Sequence, residues 1–237
     1  MKSTRDTYAE RVAEINFYFD ALGQLDKQLS ESFSSSAEQI EKYKQDNFLK
    51  ILKANALIML YNLVESTMLN GIDEIYDKLK INGATYSAVR KEIQDIWFSY
   101  KFNQVYDQKA HYGSYKEKAL EIVNSIMAGE IIELNHKLLS KVFAISGNLD
   151  ADEIRKICNG HGIGIKPDDA CKGGVRLNDV KTKRNLLAHG ALSFSECGRE
   201  YSLEDLIEIK EQSYGFLVGL LDGMQKYYDN EKYLNTP

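Results

Sequence analysis

Arg184 and His189 lie five positions apart in Lys181-Thr-Lys-Arg-Asn-Leu-Leu-Ala-His-Gly190, and no other stretch of the chain is better equipped for chemistry. Lys181, Lys183 and Arg184 place three cations within four residues. On a helix, five positions correspond to about 140° around the axis and about 7.5 Å along it, so the two side chains can flank one groove without touching. Cleavage of an RNA phosphodiester needs little more than this. A histidine gives or takes a proton near neutral pH. A guanidinium neutralises the phosphorane with paired donors. The 2′-hydroxyl supplies the nucleophile, so the chemistry calls for no metal and no cofactor. Gly190 sets His189 at a helix C-terminus, where the partial negative charge attracts a cation. The same pattern also suits a capping or surface role.

Five other groups bear on function. Arg155 and His161, six positions apart, form a second pair of this kind, but Asn159-Gly160 reads as a helix stop between them. Cys158-x-x-His161 has ligand-like spacing, yet Cys171 and Cys197 are scattered, so no metal site is expected. The Gly160–Gly164 stretch lacks the Lys-Ser/Thr ending and the preceding strand of a phosphate loop. Tyr227, Tyr228 and Tyr233 either stack on bases or form the edge of a packed helix. Glu65 stands on an otherwise apolar helix, where an unpaired carboxylate is costly. It either orients Arg184 or belongs to a structural ion pair.

The elements that must position these residues are helices. Tyr8, Val12, Ile15, Phe19, Leu22 and Leu29 mark a first helix over about 5–33. A second runs over about 37–81. Its segment Ala56-Leu-Ile-Met-Leu-Tyr61 is apolar all round, which implies burial. Further helices are expected over about 86–108, 115–128, 131–143 and 150–158. Residues about 146–175 are turn-rich and irregular. The motif helix covers about 175–189, with Gly190 as its stop. Residues 194–201 read as a loop or hairpin. Ser202-Leu-Glu-Asp205 caps a last helix over about 203–230. The expectation is an all-α bundle of about five to seven helices in a single domain over 1–237, with an irregular region before the motif helix.

Composition agrees. Of 237 residues only 2 are Pro, 43% are hydrophobic and 27% are charged, which excludes disordered and Pro-rich classes and disfavours a β-sandwich. The net charge of −5 excludes a general polyanion binder. Between Lys166 and Arg184, however, six basic residues (166, 172, 176, 181, 183, 184) face three acidic ones (168, 169, 179), a local excess of +3. Three Cys form no disulfide framework. The longest apolar run, residues 54–64, is far short of the roughly 20 residues a membrane span needs. A reducing cytoplasm and no membrane partner are the expectation.

Arg184-Asn185-Leu-Leu-Ala-His189, just ahead of the last long helix, resembles the signature of the HEPN superfamily (higher eukaryotes and prokaryotes nucleotide-binding domains). That signature is Arg, four to six residues, then His, most often beginning Arg-Asn. Residues 54–67 (ANALIMLYNLVEST), 147–155 (GNLDADEIR) and 193–202 (SFSECGREYS) resemble a bacterial branch of stand-alone members. The resemblance implies an all-α fold and a metal-independent endoribonuclease whose two motifs meet across a homodimer interface. In it Arg184 would bind the scissile phosphate and His189 would serve as general acid/base or hold the phosphate. Asn185, Lys181, Lys183 and Glu65 would orient the site or bind RNA. Members often act as toxins or in phage defence, restrained by an antitoxin or another regulatory protein. Some bind RNA or nucleotides without cleaving, so a silent binding module is the alternative.

Overall fold

The apolar belt of the second helix organises the molecule. In the computed structural model, which describes residues 1–31, 36–103, 112–139 and 147–235, α1 (Lys2–Glu31) lies against α2 (Ser36–Ile81, 46 residues). Then come α3 (Lys91–Asn103), α4 (Tyr112–Met127), α5 (His136–Leu139), α6 (Ala151–His161), a 3₁₀ turn at Asp169–Gly174, α7 (Arg176–Ala188), α8 (Phe194–Arg199) and α9 (Leu203–Asp229). The described residues contain no strand, only the isolated bridges Thr85–Ile131 and Val89–Leu234. Seven of these helices have eleven residues or more, within the range expected, and α5 and α8 are short additions.

Ala54, Ala56, Leu57, Leu60, Tyr61, Leu63, Val64, Met68, Ile72 and Ile75 of α2 are buried, but Ile58 and Met59 are only half-buried and Asn62 is exposed, so the belt expected to be buried on every side is buried on one broad face. An apolar helix face must be covered, and α1, α7, α8 and α9 pack onto α2. From α9 come Leu206, Ile209, Phe216, Leu217, Leu220 and Met224, and from α7 Leu177, Val180 and Leu187, all in the same core.

Several boundaries differ from the sequence reading. The third helix starts at Lys91 rather than 86, because Gln94 Nε2 binds the carbonyls of Tyr86 (2.9 Å) and Val89 (3.1 Å). Residues 104–108 lie outside those described. Of the helix expected over 131–143, only α5 forms among the described residues. Ile132 N–H instead donates to Ala84 O (2.9 Å). The helix expected to stop at Asn159-Gly160 continues to His161, where Gly162, at φ 71°, supplies the left-handed cap. Residues 194–199 are helical and not a hairpin, because Ser193 and Glu196 form a reciprocal capping box. The Ser202/Asp205 box at the start of α9 is as expected. No described helix is long and apolar enough to cross a membrane.

Extending α6 carries His161 into the core. Its Nδ1 donates to Ile157 O (2.6 Å) and its Nε2 accepts from the Tyr76 hydroxyl (2.6 Å). The carbonyl of His161 accepts from Tyr227 Oη (2.8 Å). Burial pushes this imidazole down from 6.5 to about 4. The unfolded chain therefore takes up a proton below about pH 6.5, and the folded chain only near pH 4. The neutral ring's contribution is complete above 6.5 and is lost as pH falls through 4. Urea unfolding should show about 3 kcal/mol less stability from this group at pH 4 than at pH 7. His161→Gln should flatten that acid limb. Parallel pH profiles for wild type and variant would refute the assignment.

Candidate functional site

Arg184 sits on the inward stripe of α7, seven positions after Leu177, four after Val180 and three before Leu187, all of which are buried. A charged side chain on such a stripe must find company in the core. Its guanidinium lies over the Tyr61 ring, 4.6 Å from the centroid, and Nη1 donates to Asn185 Oδ1 (3.0 Å). A cation over an aromatic face is worth about 0.5–2 kcal/mol, depending on desolvation. Among the described residues no carboxylate pairs with Arg184.

His189 is the residue at which α7 ends. Its N–H still donates to Asn185 O (3.0 Å), while Gly190 turns the chain at φ 68°. The imidazole is exposed and makes no described contact. The half-buried guanidinium and the exposed imidazole thus share one helix end, as the spacing implied.

Glu65 makes no ion pair with Arg184. Its Oε1 instead accepts from Tyr61 Oη and from Gly147 N–H, each at 3.4 Å. The Tyr61 hydroxyl also accepts from Leu149 N–H (3.4 Å). Burial, with the Glu65 carboxylate adding to it, holds the Tyr61 hydroxyl above its ordinary pKa, so the phenol stays protonated and donates. Glu65 therefore reaches Arg184 only through Tyr61 and the 147–149 turn. The sequence reading missed the parts of Tyr61 and Gly147. Tyr61 looked like one more residue of the apolar belt, and Gly147 like one more turn glycine.

The two lysines are committed elsewhere. Lys181 Nζ binds Asp150 Oδ2 (2.5 Å), the N-cap of α6. Burial opposes the charge on Asp150, but Lys181 and the N–H groups of Glu153 and Asp152 hold its carboxyl below the usual range. Lys183 pairs with Glu200 and lies 6.0 Å from the Tyr201 ring centroid. Lys172 and Arg176 both reach Glu208, and Arg176 also binds Asp179 (3.0 Å). The local excess of +3 therefore does not survive folding. Asp150, Glu200 and Glu208 come in from outside the window and offset it. Arg184 and Lys166 remain the cations of that window without a described carboxylate partner.

The other candidates fall away. His161 is taken up by Tyr76 and Ile157, and Arg155 binds Gly173 O (2.5 Å), so that pair builds no site. Cys158, Cys171 and Cys197 are free and buried, and no group of three metal-ligating side chains assembles among the described residues. Tyr227 and Tyr233 are buried, with their hydroxyls bound at His161 O and Asn82, so neither ring is open to a base. Lys78 lies over the Tyr228 ring at 5.6 Å.

A family model described as HEPN_MAE_28990-like HEPN matches residues 2–233, taking in every helix from α1 to α9. Searches among curated proteins and among solved structures return no match. All-helical architecture, the Arg184–His189 spacing at the end of α7 and this match over nearly the whole chain agree: the chain belongs to the HEPN superfamily, in its MAE_28990-like family.

Proposed function

We propose that the protein is a metal-independent endoribonuclease in which the Arg184/His189 pairs of two protomers form one composite site at a homodimer interface. Its role would be that of a toxin or phage-defence effector, held in check by an antitoxin or another regulatory partner. HEPN membership supports a nuclease or RNA-binding module. The observation that carries the finer reading is the state of Arg184. It is held by a ring face and one amide oxygen, with no carboxylate partner among the described residues, on the same helix end as the exposed imidazole of His189.

In the proposed reaction a ribose 2′-oxygen attacks the adjacent phosphorus. His189 takes the 2′-proton or donates one to the departing 5′-oxygen. Arg184 binds the non-bridging oxygens as negative charge builds on them. The products are a 2′,3′-cyclic phosphate and a 5′-hydroxyl. The nucleophile is the substrate's own, so cleavage is expected to persist in excess EDTA. End-group analysis of the fragments tests this. Intact RNA under all conditions, or linear 3′-hydroxyl ends, would overturn the reading.

One observation favours a second reading, a silent module that binds RNA, nucleotide or protein. Lys181 and Lys183 are neutralised within the protomer, so the motif offers a strand little general attraction. Binding without cleavage by the purified dimer would select it.

A further inference from the structure

An arginine meant to grip a phosphate faces a conflict. A carboxylate would hold the guanidinium still, but it would also occupy the paired donors that the phosphate needs. Around Arg184 this conflict is resolved, among the described residues, without a carboxylate. The Tyr61 ring is fully buried in α2, so it cannot swing away. Its face attracts the cation and accepts no N–H in the guanidinium plane. Of the five N–H donors of the group, one is spent among the described residues, on Asn185 Oδ1.

Gly147 stands on the other side of the argument. Its φ is +74°, a conformation that favours glycine, and a Cβ built there would lie 2.8 Å from Arg184 Nη1. Any other residue would be strained and would press on the guanidinium. The turn is tied to the ring by one carboxylate oxygen, because Glu65 Oε1 accepts from both Gly147 N–H and Tyr61 Oη. Leu149 N–H closes the link onto the same hydroxyl.

We infer that Tyr61 and Gly147 are positioning residues for Arg184. The ring face of one and the bare backbone of the other keep the guanidinium in one orientation while leaving most of its donors open to a phosphodiester. Glu65 serves by joining the ring to the turn. This rests on the ribonuclease reading of the same site.

The test uses the full chain, ¹⁵N-labelled, with the Nε–H resonance of Arg184 assigned by its loss in Arg184→Lys. In the wild type that proton is expected to be displaced upfield by the Tyr61 ring current. Tyr61→Phe keeps the ring but loses the hydroxyl that ties it to Glu65 and Leu149, so it should keep the displacement and lower kcat/KM for a short RNA less than Tyr61→Leu does. Tyr61→Leu should abolish the displacement and lower kcat/KM by roughly tenfold or more. Gly147→Ala should move the Arg184 resonance and lower kcat/KM similarly, and it decides the matter should Tyr61→Leu fail to fold. The inference is overturned if the wild-type resonance shows no displacement. Folded Tyr61→Leu or Gly147→Ala enzyme that cleaves like wild type also overturns it. Should wild type cleave no RNA at all, the ribonuclease reading fails, and the resonance still decides whether the cradle exists.

Discussion

Arg184→Ala is expected to lower kcat/KM for RNA cleavage by about 10²–10³-fold, the usual cost of removing a fixed donor from developing negative charge. His189→Ala should cost about 10²–10⁴-fold, the range for a general acid or base. The two act on one phosphate, so the double variant should be scarcely slower than the worse single one. Arg184→Lys should not restore activity, because a point charge lacks the planar fork. It would also lie differently on the Tyr61 ring. Neither alanine change should unfold the protein. His189 is exposed, and Arg184 forms no ion pair among the described residues. Thermal melting and sedimentation alongside the kinetics separate lost chemistry from lost structure. Variants that cleave at the wild-type rate would remove these residues from the mechanism.

The largest expected effect on stability is at Gly198. This residue lies in α8, beside the buried Cys197, where the short helix meets α2. A Cβ at Gly198 would fall 1.8 Å from Lys50 O and 2.6 Å from Lys50 C, both backbone atoms of the long helix. No rotamer change relieves such a contact, so one helix must move. Ordinary overpacking costs about 1–3 kcal/mol, and a backbone collision belongs beyond that range, at about 4 kcal/mol or more. Gly190→Ala is the matched control. Its φ is 68°, but nothing lies within 4 Å, so only backbone strain of about 1 kcal/mol is expected. Denaturant unfolding of the two variants should differ by several-fold in lost stability. Equal losses would show that α8 can slide on α2 without cost.

The local parts of this architecture were legible in the sequence. Burial of Ala56, Leu57, Leu60 and Tyr61, the length of α7, its stop at Gly190 and the Ser202 cap each follow from residues a few positions apart, whereas Ile58 and Met59 of the same apolar run stay half-buried. The misreadings have equally local causes. Asn159-Gly160 looked like a stop, yet a helix needs its left-handed residue only where it ends, and that residue is Gly162. The Ser193/Glu196 box announced a helix too short to show an apolar period. The site was half legible. Spacing placed Arg184 and His189 on one helix end. The charges around them could not be read from a window, because the partners of Lys181, Lys183 and Lys172 lie 31, 17 and 36 positions away. The grip of Tyr61 on Arg184 was hidden for the same reason, since it joins residues of α2 and α7.

The commitment of Lys181 and Lys183 to Asp150 and Glu200 has a consequence for how a strand would be held. Affinity gained by neutralising phosphates comes from the release of condensed counterions, and each phosphate met on a single strand contributes about −0.7 to the slope of log K against log salt. A motif offering three bare cations would approach a slope of about −2, and its grip would collapse as salt rises. With Arg184 alone, the expected slope is near −0.7 per protomer. The affinity of RNA bound there would change little as salt rises, and contacts other than charge would have to select the strand.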